Sequence, residues 1–145
     1  MRESELFPPV KAWHESLGCE VFAEVPWPAP CGSSIDVVGL RPRWKYPIVV
    51  ELKTGFTTKL IEQCSLAQLI TPMVWAAAPT RPGARFLQNA ERLGFGVLRV
   101  SKSLVTILQR WRRRQGCPNR RTGSVVTGSA TLPLSWVFSW LACSL

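Results

Sequence analysis

Hydrophobic side chains recur at helical spacing in the first part of the chain and at alternating positions just after it. Residues 3–17 carry apolar side chains three and four positions apart, and Gly18 follows where such a helix would end. Pro8 and Pro9 are expected inside the first turn, since a deeper proline removes a backbone hydrogen bond. Residues 19–25 alternate in polarity, which predicts a strand with its odd-numbered residues on one face.

Two short apolar runs follow, at residues 34–40 and 48–53. The stretch between them is polar and contains proline, so we interpret the two runs as an antiparallel hairpin joined by a loop. Pairing Leu40 with Pro47 then sets Asp36 directly opposite Glu51. The register decides the chemistry, because a slip of one residue would put the two carboxylates on opposite faces of the sheet.

The sequence up to residue 108 continues to alternate between helical and extended patterns. Helices are predicted at residues 59–71 and 85–93 and strands at 73–78 and 96–100, while 104–108 suits either a strand or a helical turn. The resulting order is helix, three strands, helix, strand, helix, strand. This order predicts an α/β (α+β) domain over residues 1–108, with a mixed central sheet flanked by helices.

The second run of the hairpin ends in Glu51 and Lys53, two charged residues on an otherwise apolar strand. Side chains two positions apart on a strand share a face, so a carboxylate and an ammonium would project side by side. Burying unpaired charge is unfavourable, and such arrangements are tolerated more often at functional sites. Asp36 would add a second carboxylate at roughly 5 Å, a spacing that suits a Mg²⁺ ion. The alternative is a surface ion pair without a function.

An aspartate followed on the next strand by Glu-x-Lys resembles the signature of the PD-(D/E)XK nuclease superfamily. The resemblance covers residues 3–100 and follows the motif order of one bacterial branch of PD-(D/E)XK phosphodiesterases. The matching segments are residues 4–11, 17–21, 35–38 and 49–53, then Gln63, then residues 77–79. The resemblance implies the restriction-endonuclease-like fold, whose core has the order helix-β-β-β-helix-β.

The same resemblance implies a metal-dependent phosphodiesterase that acts on DNA, with Mg²⁺ or Mn²⁺ as its cofactor. It assigns Asp36 and Glu51 to the metal and Lys53 to the attacking water and the charge on the phosphate. It assigns accessory catalytic roles to Glu5 on the first helix and to Gln63 on the helix after Glu-x-Lys. For Glu5, stabilisation of the helix dipole is an equally good interpretation, and for Gln63 the alternative is a surface glutamine.

Three further residues bear on this expectation. The branch usually has a basic residue four positions after the glutamine, but this chain has Ala67 there, which weakens the case for a polar contact from that turn. Glu24 is a lesser candidate for the acidic cluster. Trp27, in the loop before Asp36, suits either stacking on a base or packing at the edge of the core.

The balance of charge favours a polyanionic partner. The formal net charge is +9, from 18 Lys and Arg against 9 Asp and Glu, and basic side chains that face phosphates release condensed counterions. Arg110, Arg112, Arg113 and Arg114 surround Trp111 and form a patch that suits a nucleic-acid backbone, although a solvated segment is the alternative. DNA is the expected partner, with RNA left open. A nucleic-acid-binding module without catalysis is the second hypothesis.

The remaining features concern setting and boundaries. The five cysteines lack metal-binding spacing and no signal-peptide pattern is evident, so a reducing, cytoplasmic setting is expected. His14, the only histidine, is expected on the surface. Residues 109–145 are predicted to form an extension that is first basic and then apolar. Its last 14 residues are too few for a membrane span, which needs about 20. A homodimer is left open.

Overall fold

The computed structural model describes residues 1–26 and 34–112, and all of the predicted elements are present there. The three helices are α1 (Glu3–Ser16), α2 (Thr58–Ala67) and α3 (Ala84–Leu93), and the six strands are β1 (Glu20–Pro26), β2 (Ser34–Leu40), β3 (Ile48–Leu52), β4 (Val74–Ala78), β5 (Gly96–Val100) and β6 (Val105–Gln109). The α/β class and the helix-β-β-β-helix-β order are therefore confirmed, and residues 104–108 belong to a strand. Trp27, Arg113, Arg114 and most of the predicted extension lie outside the described residues.

The six strands form one open, mixed sheet in the sequential order β1-β2-β3-β4-β5-β6. Strands β1, β2 and β3 form an antiparallel meander, β3, β4 and β5 are parallel, and β6 returns antiparallel to β5. The parallel strands need crossover connections, and α2 and α3 provide them. The prediction of a mixed sheet flanked by helices is confirmed.

Each face of the sheet has its own apolar core. On one face, Leu6 and Val10 of α1 pack with a set that includes Val37, Val50 and Trp75. On the other face, α2 and α3 contribute a second set of side chains, which are Leu60, Cys64, Ala67, Phe86 and Ala90. β3 is buried along its whole length because helices cover both of its faces.

The prolines of α1 lie deeper than the sequence predicts. The helix starts at Glu3, so Pro8 and Pro9 fall in its second turn and the expectation of a first-turn position is wrong. Pro9 is buried beside Leu6 and Val10, and this tertiary packing offsets the backbone hydrogen bonds that the two prolines remove. The helix ends as predicted, with Gly18 at a left-handed φ of 77°.

The second helix is shorter than predicted, because it ends at Ala67 and not at residue 71. Thr57 caps its first turn by accepting the Leu60 N–H at 3.4 Å, in agreement with the predicted threonine cap. At the other end, the buried Thr71 hydroxyl donates to the Pro47 carbonyl at 2.7 Å. This contact and the following Pro72 draw the chain out of the helix and onto the β2–β3 hairpin.

The predicted alternation of β1 fails at one residue. Glu24 has φ 50°, and the side chains on either side of it pack on different cores: Val21 on the α1 side and Val25 on the α2–α3 side. A left-handed residue inside a strand rotates the following side chains to the other face, in the manner of a bulge. The expectation that all odd-numbered residues share one face is therefore wrong.

His14 is fully buried, so the prediction of a surface position is also wrong. Its ring lies against Gly39 of β2, where an added Cβ would stand 2.2 Å from the ring Cδ2. Its Nδ1 lies 3.0 Å from the Val10 carbonyl, and burial lowers the pKa of the imidazole. The side chain fits only because β2 carries a glycine at the contact.

The sheet has two functionally distinct ends. We call the end where β3, β4 and β5 finish the carboxyl edge, and the end that carries the turn at residues 41–47 the hairpin edge. α2 and α3 follow β3 and β4 directly and so begin at the carboxyl edge, and α1 begins there too, since its first turn contacts Lys53. Within the described residues, no helix has the length and apolar character needed to cross a membrane.

Candidate functional site

The β2–β3 ladder ends just before the two predicted carboxylates. Val38 pairs with Val49 as expected, the last pair is Val37 with Val50, and the same register makes Asp36 and Glu51 the next opposed positions. The Leu52 N–H, left without a ladder partner there, donates to Asp36 Oδ2 at 2.7 Å. Asp36 therefore closes the end of the ladder with its side chain and faces Glu51 where the strands separate.

Glu51 is a buried carboxyl, only 3% exposed, and its Oε2 has no hydrogen-bond partner among the described residues. Burial is the largest cause that raises its pKa to about 8, and the neighbouring Asp36 adds to the rise while Lys53 opposes it. Such a group is protonated near neutral pH in the absence of a cation. The arrangement is the one expected where a buried carboxylate awaits a positive partner.

Helix α2 covers this pair from one side of the sheet. Burial raises the pKa of the Cys64 thiol, with smaller contributions from the charges of Glu51 and Asp36, so the thiol lies close to both. Gln63 precedes it, and the Gln63 Oε1 is buried without a hydrogen-bond partner in the described part of the chain. A carboxylate oxygen and an amide oxygen are thus both buried without donors on adjoining elements.

Lys53 lies one residue beyond β3, at the carboxyl edge. Its Nζ is 3.3 Å from Glu3 Oε2 of α1, and the lysine side chain is 19% exposed against 48% for the glutamate. The predicted acid, Glu5, is engaged elsewhere, because its Oε2 accepts the Arg2 N–H at 2.8 Å and closes the capping box of α1. Sequence reasoning missed Glu3, since two acids in one exposed first turn offer no signal that separates them.

Glu24 occupies the position opposite Asp36 on β1, so three acidic positions lie in one row across β1, β2 and β3. The Glu24 side chain is exposed, whereas Glu51 is buried. In the part of the chain that the structure describes, no three His, Cys, Asp or Glu side chains are grouped so that they could hold a metal ion. Asp36 and Glu51 remain the two carboxylates brought together, and oxygen ligands of this kind are those that Mg²⁺ and Mn²⁺ prefer.

The predicted basic patch is remote from the carboxylates. Arg110 and Arg112 follow β6, three strands from β3, and strand spacing alone separates them from Glu51 by roughly 14 Å. Arg112 donates its N–H to the Gly94 carbonyl at 3.1 Å, and its guanidinium lies 3.9 Å from Glu91. The two arginines line a surface cleft of about 320 Å³ against the end of α3. They do not belong to the Asp36–Glu51 site.

Comparison with known proteins yields the fold alone. No family model matches the chain, and no curated protein matches it. Among solved structures, the chain is similar to a protein of unknown function from Silicibacter pomeroyi, with a TM-score of 0.54 and 17% identity over 81% of this chain and 77% of that chain. An identity this low establishes a shared architecture and carries no activity across.

Proposed function

We propose that the chain is a metal-dependent phosphodiesterase that hydrolyses nucleic-acid phosphodiester bonds, a DNA endonuclease of the PD-(D/E)XK type. The observation that carries the proposal is the juxtaposition of Asp36 with Glu51 at the splayed end of two strands, where Glu51 is buried and its Oε2 lacks a partner. A paired surface couple would not bury a carboxyl that raises its own pKa to about 8. The cluster also stands at the carboxyl edge, where open α/β sheets bind their ligands.

The two carboxylates fit a hard divalent cation. Burial and Asp36 raise the pKa of Glu51, and a cation between the two side chains would remove the repulsion that causes part of this rise. Asp36 and Glu51 would hold Mg²⁺ or Mn²⁺, with Gln63 as an accessory oxygen donor. When bound, the metal polarises the scissile phosphate and lowers the pKa of a water ligand.

Lys53 supplies the positive charge of the site. Its ammonium lies beyond the end of β3 and close enough to Glu51 to oppose the rise in the pKa of that carboxyl. In this proposal the ammonium orients the attacking water and stabilises the negative charge that grows on the phosphate. Glu3 holds the same ammonium at 3.3 Å, while Glu5, the acid predicted from the resemblance, stays a candidate only through the adjacent turn.

DNA is the proposed substrate, with RNA left open, because the net charge of +9 favours a polyanion. A homodimer is part of the proposal, since it would allow cleavage of both strands of a duplex. Cys19 and Cys64 are free and buried, which supports a reducing, cytoplasmic setting.

The test is cleavage of linear, supercoiled and branched DNA by the purified protein in Mg²⁺, Mn²⁺ and EDTA. We expect cleavage that needs the metal and is lost in the Asp36→Asn and Lys53→Ala variants, with Lys45→Ala at the hairpin edge as the matched control. Full metal-dependent activity in Asp36→Asn would disprove the assignment of Asp36. Binding of DNA without turnover in any of these conditions would favour the second hypothesis, a nucleic-acid-binding module on the same fold.

A further inference from the structure

The carboxyl edge holds a second group of charged residues that the proposed chemistry does not use. Arg81 lies in the loop between β4 and α3, Arg99 near the end of β5, and Lys102 in the turn between β5 and β6. All three side chains are exposed, and none forms a salt bridge with another described residue. The surrounding sequence is free of counter-charge, because Asp and Glu are absent from residues 63–90 and from residue 92 onward.

The sheet register places Arg99 on the same face as Glu51. Glu51 is opposite Ala76, Ala76 is opposite Val97, and Arg99 follows Val97 by two residues and so shares its face. Two strand spacings across and two residues along the strand separate the Cα atoms of Glu51 and Arg99 by roughly 12 Å. The Arg99 Nε lies 3.5 Å from the Pro79 carbonyl, which directs the guanidinium over the end of β4.

We propose that Arg81, Arg99 and Lys102 form a track for the phosphate backbone of DNA, and that this track leads away from the Asp36–Glu51 pair over the ends of β4 and β5. The inference rests on the proposed function for its partner and adds the direction in which the bound strand runs. Successive phosphates on one strand advance by about 3.4 Å along the duplex axis, so a separation of roughly 12 Å corresponds to three or four nucleotides. The helix N-termini of α2 and α3 add positive potential at the same edge.

The basic residues of the hairpin edge are a weaker alternative for this role. Arg41 lies 4.6 Å from the Trp44 ring centre and Lys45 lies 5.3 Å from that of Tyr46, so both cations already have aromatic partners. Arg112 is partnered with Glu91. These groups also lie at the end of the sheet remote from the carboxylates, whereas the track shares their edge.

The experiment compares two variants that each lose two positive charges, Arg81→Gln/Arg99→Gln from the track and Arg43→Gln/Lys45→Gln from the hairpin edge. Binding to a fluorescein-labelled 20-base-pair duplex is measured by anisotropy in EDTA at 50–200 mM salt, so that cleavage plays no part. We expect the track variant to bind roughly 10- to 60-fold more weakly at 0.1 M salt and to lose about 1.8 from the log–log salt slope. The control should change affinity less than twofold.

Equal losses in the two variants would show that binding follows net charge alone and would overturn the track, as would unchanged affinity of the track variant or failure of the wild-type protein to bind the duplex. Circular dichroism checks that each variant is folded. If the double variant does not fold, Lys102→Gln against Lys45→Gln tests the same surface, and equal affinity of those two variants contradicts the inference. Because no step involves cleavage, an inactive wild-type protein would count against the proposed function and leave the track to be judged on binding.

Discussion

Among single residues, Glu51 carries the greatest energetic tension. A carboxyl that is 3% exposed, faces Asp36 and leaves one oxygen without a partner is stable only when it is protonated or when a cation joins it. Its pKa of about 8 reflects the first of these states. The protein therefore retains an unfavourable group at the end of a core strand, and retention of such a group is best explained by a role that requires the anion.

The two acids of the first turn of α1 are expected to have separable roles. Glu3→Ala removes the ion partner of Lys53 and should lower the cleavage rate, while its effect on stability stays within about 1 kcal/mol because the pair is partly exposed. Glu5→Ala removes the capping bond to Arg2 and should cost about 0.5–2 kcal/mol of stability. Thermal denaturation and cleavage assays on the two variants measure both effects. A larger loss of activity in Glu5→Ala would restore Glu5 as the catalytic acid.

At the level of elements, α1 is held on the sheet by interlocking rings. His14 sits on Gly39, and the Trp13 ring meets the Trp75 ring edge-on at 5.4 Å. Trp75 in turn covers Gly96, where an added Cβ would lie 2.2 Å from the indole. Both strand glycines are therefore required by a ring above them, which is why each interrupts an otherwise apolar strand.

We predict that Gly39→Ala destabilises the fold by about 1–3 kcal/mol, since the new methyl group overlaps the His14 ring. The matched control is Gly55→Ala, because an added Cβ at Gly55 meets no atom within 4 Å. Urea unfolding measures the free energy of each variant. The second-site variant Gly39→Ala/His14→Ala should recover part of the loss, and the absence of any recovery would show that His14 is not the obstacle.

The elements were more predictable than their ends. The β2–β3 register followed from the sequence, because two apolar runs of equal period flank one short polar loop and only one register buries both. The length of α2 did not follow, because Thr71 leaves the helix for a hydrogen bond to Pro47, 24 residues away. The burial of His14 was also missed, although Gly39 inside an apolar strand was a signal for a close approach.

For the whole molecule, the two buried titratable groups act on stability in opposite directions as the pH changes. Burial lowers the pKa of His14 from 6.5, so its contribution is lost as the pH falls below that value. The pKa of Glu51 rises from 4.5 to about 8, so its contribution is present at low pH and is lost as the pH rises towards 8. The two effects oppose each other below pH 6.5, whereas Glu51 acts alone above it.

We therefore predict that the free energy of unfolding is nearly level from about pH 5 to 6.5 and falls by about 1.4 kcal/mol per pH unit from 6.5 towards 8. Urea unfolding across this range measures the profile in metal-free buffer. Glu51→Gln should abolish the fall above pH 6.5, while Glu62→Gln, an exposed change on α2, should keep it. His14→Leu should let stability keep rising as the pH falls below 6.5. Parallel profiles for wild type and Glu51→Gln would contradict the buried-carboxyl account.

The candidate site was partly predictable at this scale. The juxtaposition of Asp36 with Glu51 follows from strand register, which is a local property of the hairpin. The contact between Lys53 and Glu3 joins residues 50 positions apart and depends on how α1 lies on the sheet, which periodicity does not determine. The remoteness of Arg110 and Arg112 likewise depends on the order and direction of strands, since β6 runs from the carboxyl edge towards the hairpin edge.

The central claim is that Asp36 and Glu51 together hold a divalent metal ion. The most direct measurement is a calorimetric titration of the metal-free protein with Mn²⁺ at pH 7.5, for wild type, Asp36→Asn, Glu51→Gln and the exposed control Glu24→Gln. The account predicts one Mn²⁺ site that is present in wild type and in Glu24→Gln and is lost in both of the other variants. Unchanged Mn²⁺ binding in Asp36→Asn and Glu51→Gln, or no binding by the wild-type protein, would contradict it.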